Sequence, residues 1–232
     1  SKFMVKKNKK IVAIVQARLT SKRFPNKVIQ KIGKLTIIEL IFKRLKRSKL
    51  IDEIVFAIPS NKKNDKLYVL LKGLKANIFR GSENNVLDRF FKTAKRFKAS
   101  TIIRITADAP LVDPKLIDEM ISVYQKKKPD FLTNTPDNTS TFPPSFPDGF
   151  DLEIFSFNLL KLAKKNAFSN FYREHVTPYF KFSGKFKKRD FNFSKNLSFL
   201  KLSVDEKKDL KKVRRIYKYF YPNIFFSFID LI

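Results

Sequence analysis

The chain has 232 residues, 43% of them hydrophobic, which is enough for the core of one domain or of one domain with an inserted lobe. It has no cysteine and one histidine, His175, which excludes disulfide scaffolds, thiolate metal sites, cysteine nucleophiles and a multi-histidine metal centre within one chain. No apolar run is long enough to cross a membrane, and the basic start at residues 1–10 lacks the apolar stretch of a signal peptide. We therefore expect a cytoplasmic protein without membrane insertion.

The first half of the chain predicts strands and helices in alternation. Residues 11–15 form a short, β-branched apolar run, which is typical of a buried parallel strand. Thr36 and Glu39 have the spacing of a capping box, and Asp113 followed by Pro114 predicts another helix start. Short connections between such elements indicate a three-layer α/β domain with a mostly parallel sheet. The predicted strands are 11–15, 53–58, 76–79 and 101–105, and the predicted helices are 36–48, 65–72, 86–97 and 113–127.

The alternation ends near Phe131, and the second half of the chain is less regular. Residues 133–149 are rich in Pro, Thr, Asn and Asp, which predicts a long loop. We expect Asp205 to cap a last helix that ends near residue 219. The apolar tail at 224–229 is expected to pack on the core or on a second subunit. Further predicted elements are strands at 151–155 and 197–202 and helices at 158–165 and within 172–182.

The net charge of the chain is +29, from 50 Lys and Arg against 21 Asp and Glu. This sign suits polyanions such as nucleic acid, anionic lipid or phosphate-rich ligands. Lysines are in the majority and are spread along the whole chain, which favours a solvated basic surface over a dedicated nucleic-acid site. The Phe residues also follow core periodicities. Nucleic acid is therefore not an expected partner, and a basic nucleic-acid-binding protein stays an alternative.

Ligands of open α/β sheets bind beyond the carboxyl ends of the strands, so the segment after each predicted strand is a candidate binding site. The first strand leads into the loop 16–27, which holds the four cations Arg18, Lys22, Arg23 and Lys27. Such a loop can wrap a triphosphate, because an Arg guanidinium can donate hydrogen bonds to two phosphate oxygens at once and Lys acts as a point charge. An exposed basic loop is the alternative. The loop lacks the glycines of a P-loop or a dinucleotide fingerprint.

Two acidic residues come after other predicted strands. Asp108 lies just after the strand at 101–105, where a divalent ion bound to phosphates is often held, and Asp205 lies just after the strand at 197–202. A turn at Asp108 and a helix cap at Asp205 are the alternatives, and Asp113 is better explained as a cap than as a ligand. Two such acids can converge on one Mg²⁺ ion.

Six segments in chain order resemble those of the cytidylyltransferases, especially the group around 3-deoxy-manno-octulosonate cytidylyltransferase and the spore-coat polysaccharide cytidylyltransferase-like proteins. Each motif is weak alone, but six in this order are specific, and the likeness covers roughly residues 10–220. Residues 16–27 resemble the family's nucleotide-binding signature, and residues 79–90 resemble its loop beside the base and ribose. Residues 104–111 resemble the end of its metal-binding strand, and residues 204–210 resemble the element that carries a second metal-binding carboxylate. Residues 146–153 and 173–179 resemble elements on the sugar side of the family's site.

The resemblance implies a nucleotide-diphospho-sugar transferase fold, which is Rossmann-like, with a small lobe for dimerisation and sugar binding. It implies transfer of CMP from CTP to a sugar or sugar acid, with Mg²⁺ and release of pyrophosphate, in the biosynthesis of surface polysaccharide such as lipopolysaccharide. A homodimer is also implied. In a single domain, the nucleotide-binding part would comprise about residues 10–130, the sugar-binding and dimerisation part about 131–196, and the return to the core about 197–232.

The resemblance further implies roles for individual residues. Arg18, Lys27 and Asp108 would be catalytic, and Asp108 and Asp205 would hold the metal ion. The nucleotide-binding candidates are Gln16, Ala17, Arg18, Ser21, Arg23, Lys27, Arg80, Ser82 and Arg104. The sugar-binding candidates are Asp148, Asp151, Glu153 and His175. Turn chemistry is the alternative for the two aspartates, and a structural histidine is the alternative for His175.

The chain departs from the family at three positions, because Thr20, Asn26 and Ala107 stand where glycine is usual. Glycine lets backbone N–H groups approach phosphate closely, and threonine adopts positive φ poorly whereas asparagine tolerates it. A looser phosphate loop or reduced activity is expected, and an inactive relative is one alternative. A metal-dependent glycosyltransferase is another, although such enzymes often have an Asp-x-Asp triplet where this chain has Asp108, Ala109 and Pro110.

Overall fold

Short apolar segments build a mostly parallel sheet in the computed structural model, which describes residues 9–137, 140 and 142–232. The strands are β1 Ile11–Gln16, β2 Lys31–Ile32, β3 Leu35–Thr36, β4 Glu53–Pro59, β5 Asn77–Gly81, β6 Thr101–Thr106, β7 Phe131–Thr133, β8 Glu153–Ser156 and β9 Lys188–Asp190. Seven of them form one sheet in the order β5-β4-β1-β6-β8-β7-β9, and β2 and β3 pair separately as an antiparallel hairpin. In the large sheet only β8 is antiparallel to its neighbours.

The helices begin where the sequence places their caps. The Thr36 hydroxyl accepts a hydrogen bond from the Glu39 amide at 3.2 Å, and the Asp113 carboxylate accepts one from the Lys115 amide at 2.8 Å. Both predicted starts are confirmed. The helices are α1 Ile37–Leu45, α2 Asp65–Gly73, α3 Val86–Arg96, α4 Pro114–Lys127, α5 Phe157–Asn166, α6 Asn170–His175, α7 Pro178–Phe182 and α8 Lys207–Phe220.

The core lies on both faces of the sheet, as the period-two alternation of β1 requires. Ala13 and Val15 join the apolar cluster on one face, and Val12 and Ile14 join the cluster on the other. Helices cover both faces, so the predicted three-layer α/β architecture is confirmed. None of the described helices is long and apolar enough to cross a membrane.

The C-terminal tail packs on the core, as predicted. Phe226 and Phe228 are buried, and the buried guanidinium of Arg44 donates hydrogen bonds of 2.8–3.1 Å to four main-chain oxygens. These oxygens replace the water that the guanidinium loses on burial. They belong to Leu111, Val112, Ile224 and Phe226.

Two predictions for the end of the chain were wrong. Residues 197–202 form no strand and make only one isolated bridge, between Lys201 and Asp148. Asp205 does not cap α8, because Glu206 is the N-cap residue and forms a capping box with Asp209. Sequence patterns also missed β7, β9 and the β2–β3 hairpin, which are too short to show periodicity. The signal-peptide prediction concerns residues 1–10, of which 1–8 lie outside the described residues, as do 138, 139 and 141 of the predicted loop.

Candidate active site

A cavity of about 850 Å³ opens at the carboxyl ends of β1 and β6. This is the edge where parallel α/β sheets bind ligands, and the two strands pair in register up to Gln16 and Thr106. The predicted site residues that line the cavity are Gln16, Ala17, Arg18, Ser21, Arg23, Lys27, Arg104, Asp108, His175 and Asp205. The other lining residues include Lys22, Glu83, Asn84, Asn85, Arg89, Asn170, Arg173 and Glu174.

The loop after β1 is anchored to the protein at several points. Leu19 and Phe24 are buried, and the Leu19 amide donates to the Asn64 side-chain oxygen at 2.8 Å. The Asn26 amide donates to the Leu19 oxygen at 2.9 Å, and Asn26 has a φ of 59°. Asparagine tolerates this left-handed conformation better than most residues, which explains how it stands in place of glycine here. The basic side chains of the loop are therefore presented from a fixed backbone.

The departures at Thr20 and Ala107 do not strain the loop. Neither residue has a positive φ, so neither position requires glycine for its backbone conformation. The Thr20 hydroxyl donates to a carboxylate oxygen of Glu83, and the Ala107 amide donates to the Gln16 oxygen at 3.1 Å. A looser phosphate loop therefore gains no support from the backbone at these two positions, and reduced activity stays a prediction.

Cations from the loop surround Asp205. The Lys27 ammonium donates to the Val204 oxygen at 2.8 Å and lies 3.6 Å from an Asp205 oxygen, while Arg23 reaches that oxygen at 3.2 Å. Lys201 lies 3.1 Å from the other oxygen. Partial burial acts to raise the pKa of Asp205, but Lys201, Lys27 and Arg23 outweigh it and lower the pKa. Asp205 is thus ionised at neutral pH.

The two predicted metal carboxylates belong to adjacent chain segments. The Val204 amide donates to the Asp108 main-chain oxygen at 2.7 Å, which places Asp205 beside the end of β6 without a strand at 197–202. The Asp108 carboxylate accepts from the Thr106 hydroxyl at 2.5 Å. No group of three or more potential ligands forms a metal site in the described part of the chain. Two carboxylates fit Mg²⁺, which commonly takes one or two carboxylates together with waters and substrate phosphates.

Arg104 is held at the cavity wall by a buried network. Its Nε donates to the Gln16 side-chain oxygen at 3.0 Å, and its Nη1 pairs with Glu153 at 2.5 Å. Glu153 also pairs with Lys181 at 3.1 Å. Burial acts to raise the pKa of Glu153, but Arg104 and Lys181 outweigh it and lower the pKa. Glu153 therefore positions Arg104 and does not itself line the cavity, and its predicted role in sugar binding stays a prediction.

Two predicted nucleotide ligands also lie outside the cavity lining. Arg80 is bound to the main-chain oxygens of Pro59 and Asn61 and pairs with Asp65 at 2.7 Å. Ser82 accepts from the Asn85 amide at 3.0 Å, which is a local turn contact. The structure thus gives both residues structural partners, Arg80 at the end of β5 and Ser82 at the start of the loop after it.

The carboxylates of Asp148 and Asp151 form a pair next to the cavity, but neither residue lines it. Asp148 accepts from the Ser203 hydroxyl at 2.8 Å. Asp151 is exposed as a whole residue, yet loss of water around its carboxyl group, followed by repulsion from Asp148, raises its pKa to about 7. Asp108 and Glu153 add to this shift. The predicted contact of the two aspartates with a sugar stays a prediction.

Glu83 and Arg89 line the cavity and lie in the segment 79–90 that resembles the base-side loop, but neither was among the predicted site residues. Arg89 lies on α3 between the buried Val86 and Thr93, so the available signal was a charged residue within an apolar helical stripe. The helix α6, which packs against α3, contributes the predicted His175, together with Asn170 and Arg173, which were not among the predicted site residues. No residue of α6 is buried.

Comparisons with known proteins agree with this geometry. A family model described as Cytidylyltransferase matches residues 12–221. An uncharacterized protein of Methanocaldococcus jannaschii is 39% identical over 73% of this chain, and the match spans 66% of that protein, just under two thirds of its length. The spore coat polysaccharide biosynthesis protein SpsF of Bacillus subtilis is 30% identical, over 90% of this chain and 86% of that protein.

Two further likenesses concern named cytidylyltransferases. The 3-deoxy-manno-octulosonate cytidylyltransferase of Geobacter sulfurreducens is 30% identical, but over only 48% of this chain and 44% of that protein. The solved structure of a cytidylyltransferase from Leptospira borgpetersenii superimposes with a TM-score of 0.88 at 31% identity, over 96% of this chain and 92% of that one.

Proposed function

The chain belongs to the cytidylyltransferase family, and on this premise we propose that it transfers CMP from CTP to a hydroxyl group of a sugar or sugar acid. Pyrophosphate is the second product. The observation that supports this most strongly is the convergence of Arg18 and Lys27 with Asp108 and Asp205 around one cavity at the strand ends. Cations there suit the triphosphate, and the carboxylates suit a hard divalent cation.

In this proposal the chain acts mainly by positioning and by neutralising charge. The acceptor hydroxyl attacks the α-phosphorus, and the bond between the α-phosphorus and the bridging oxygen breaks in line with the attack. Arg18 and Lys27 hold the leaving pyrophosphate. Asp108 and Asp205 would hold Mg²⁺, which when bound neutralises phosphate charge. Lys27 and Arg23 exchange part of their contact with Asp205 for phosphate oxygens when the nucleotide binds.

The acceptor sugar is assigned to the α6 side of the cavity. His175 and Arg173 line the cavity from α6, which packs against α3, and both can donate hydrogen bonds to hydroxyl or carboxylate oxygens. The similarity to SpsF, whose name places that protein in polysaccharide biosynthesis, supports a sugar destined for surface polysaccharide. Such a reaction would take place in the cytoplasm, where nucleoside triphosphates are made.

A thermal-shift panel tests the nucleotide part of this proposal. CTP with Mg²⁺ is expected to raise the melting temperature more than ATP, GTP or UTP, because binding to the folded state alone stabilises it. Arg18→Ala is the matched variant, since Arg18 lies in the anchored loop outside the core and its loss should not unfold the protein. Equal shifts for all four nucleotides, or a shift that survives in Arg18→Ala, would count against the proposed site.

We also propose that the protein acts as a homodimer through the aromatic surface of the second half. Phe168, Phe171 and Phe182 are 72%, 53% and 45% exposed, which is unusual for large apolar side chains. A second copy of this surface would cover them. Sedimentation velocity at micromolar concentration should give a dimer for the wild type and a shift toward monomer for Phe168→Ser/Phe171→Ser. A wild-type monomer would contradict the assignment.

A further inference from the structure

The exposed side of α8 is positively charged along its whole length. The structure describes every residue of this helix, and each exposed one other than Tyr219 is Lys or Arg. Leu210, Val213 and Tyr217 lie on the buried side. At about 100° per residue, the cations occupy one continuous arc of roughly 160°. We call this surface the basic face, and it consists of Lys207, Lys208, Lys211, Lys212, Arg214, Arg215 and Lys218.

Little negative charge opposes the basic face. Asp209 is buried, and Glu206 pairs with Lys208 at 2.9 Å. Beside the helix, the Arg214 Nε donates to the main-chain oxygen of Lys31 at 2.8 Å, and Lys31 is itself an exposed cation. Much of the charge is therefore available to a partner. Within the described part of the chain, the cations of the basic face that form no ion pair are Lys207, Lys211, Lys212, Arg214, Arg215 and Lys218.

The basic composition of the chain does not by itself explain this surface. The helix α4 also has 14 residues, and it exposes Glu119, Ser122 and Gln125 among its lysines. Lysines that are merely spread along the sequence thus give a mixed surface on α4. On α8, by contrast, the cations are gathered on one side and the acids are kept off it. This concentration of charge suits a partner that carries many negative charges.

The shape and the residue types of the basic face favour a lipid surface as that partner. The face follows about 21 Å of helix, and clusters of roughly four to eight Lys or Arg on a helix are typical of binding to anionic headgroups. Interfaces between proteins are depleted in lysine, whereas the basic face consists mostly of lysine. Like charges also prevent a second copy of this chain from docking through the same face.

Two exposed tyrosines at the end of α8 favour lipid over nucleic acid. Tyr219 is 83% exposed and Tyr221 is 58% exposed. Tyrosine is enriched at the boundary between membrane and water, where its ring can enter the lipid while its hydroxyl stays hydrated. Readout of bases relies on Asn, Gln, Ser and Thr besides Arg, and along the fully described α8 none of these uncharged residues is exposed.

We propose that the basic face docks the protein on an anionic lipid surface, with Tyr219 and Tyr221 in the headgroup region. The protein lies on the bilayer and does not cross it, which agrees with the lack of a membrane-spanning helix among the described residues. The helix α8 begins just after Asp205, so the cavity lies near one end of the docked helix. Docking needs no nucleotide, and the inference stands apart from the proposed function.

Co-sedimentation with vesicles, without nucleotide, tests the proposal. The wild type should bind vesicles that mix phosphatidylcholine with anionic phosphatidylglycerol, should not bind vesicles of phosphatidylcholine alone, and should bind less as the salt concentration rises. The test variant replaces three lysines and one arginine that form no ion pair. Since each cation near an anionic surface contributes about fivefold to binding, this variant should bind at least a hundredfold more weakly, to about that order. It is Lys207→Gln/Lys211→Gln/Arg215→Gln/Lys218→Gln.

The matched control removes the same types of residue from the other face of the sheet. The helices α3 and α5 pack in the core cluster opposite to that of α8 and also expose three lysines and one arginine. This control should bind within about threefold of the wild type, because charges more than a Debye length from the lipid are screened. It is Lys95→Gln/Arg96→Gln/Lys161→Gln/Lys165→Gln.

Further measurements separate the competing partners. Tyr219→Ser should weaken binding to the mixed vesicles severalfold and leave binding to a short DNA duplex unchanged. Equal losses in the test and control variants would mean that only net charge matters, and would overturn the proposal. A wild type that binds the duplex but no anionic vesicle would overturn it as well. Should the test variant fail to fold, as judged by its melting curve, Lys211→Glu against Lys161→Glu makes the same comparison.

Discussion

The two sides of the cavity are built in different ways. The side proposed for the nucleotide consists of strand ends and of a loop anchored by the buried Leu19, Phe24 and Val28. The second side is α6, a six-residue helix that packs against α3 and has no buried residue. Groups on an anchored backbone favour one ligand, whereas a helix that lies on the surface can adjust to several. If the proposed function holds, the contrast predicts a preformed nucleotide site next to an adaptable acceptor site.

The junction after α6 sharpens this contrast. Val176 comes after His175 with a φ of 68°, which is a strained conformation for a β-branched residue, and its side chain is nonetheless buried. Strain of this kind costs on the order of 1–3 kcal/mol and tends to occur at functional positions. On the nucleotide side the positive φ of Asn26 falls on a residue type that tolerates it.

The largest expected effect comes from the carboxylate at the end of β6. Asp108→Asn keeps the shape of the side chain and removes the charge that attracts a hard cation, so turnover should fall on the order of a thousandfold. CTP affinity measured without metal should change far less. Asp205→Asn should behave similarly, and the double variant should be scarcely worse than either, because both would serve one ion.

Asp205 offers a control on stability for that prediction. Because Glu206 and Asp209 cap α8, the loss of the Asp205 charge leaves the capping box in place. The melting temperature of Asp205→Asn should therefore stay close to that of the wild type. Full turnover in Asp205→Asn would leave Asp108 as the only carboxylate ligand from the chain.

A smaller effect is expected from the loop cations. Lys27→Met removes a charge whose hydrogen bond to an ionised group contributes about 1.5–3 kcal/mol, so CTP should bind roughly 10- to 150-fold more weakly. Lys31→Met is the matched control, since Lys31 is exposed and lies outside the cavity lining. Equal affinities of the two variants in calorimetry would remove Lys27 from the triphosphate site.

Substitution on the α6 side should leave the nucleotide unaffected. His175→Ala removes a group that is exposed and lines the cavity, so the KM for the acceptor should rise by about tenfold, the loss of roughly one hydrogen bond. The dissociation constant of CTP should stay within twofold. A loss of CTP affinity in this variant would mean that the two sides are not separate.

The smallest effect concerns the dependence of stability on pH. The pKa of Asp151 is raised from 3.8 to about 7 in the folded state, so between these values the folded state binds a proton that the unfolded state has released. Stability is therefore lost as the pH rises through this window. Asp151→Asn removes this loss of stability. Because the residue is exposed, the loss amounts to only about 1 kcal/mol. The variant should therefore melt about 2–4 °C above the wild type at pH 8. At pH 4 the two proteins should melt together, and a constant difference at both pH values would contradict the assignment.

The sequence predicts the nucleotide side better than the rest, for physical reasons. β1 is an apolar run and β6 is an apolar run interrupted by Arg104, so their ends, and with them Gln16 and Asp108, can be located from local pattern. In the segment 197–202, wrongly predicted as a strand, only Lys201 makes a β-bridge, to Asp148. That backbone contact depends on a tertiary partner, which sequence periodicity does not reveal. The burial of Arg89 was likewise set by packing of α3 against the sheet and not by its residue type.

Transfer of CMP from CTP at this cavity is tested most directly by the release of pyrophosphate. Purified protein with CTP and Mg²⁺ should release pyrophosphate only when a suitable sugar or sugar acid from a panel is present, with UTP inactive in its place. Asp108→Asn, run in parallel, should give the background rate. Release in the wild type at the rate of Asp108→Asn with every sugar, or equal release from CTP and UTP, would contradict the account.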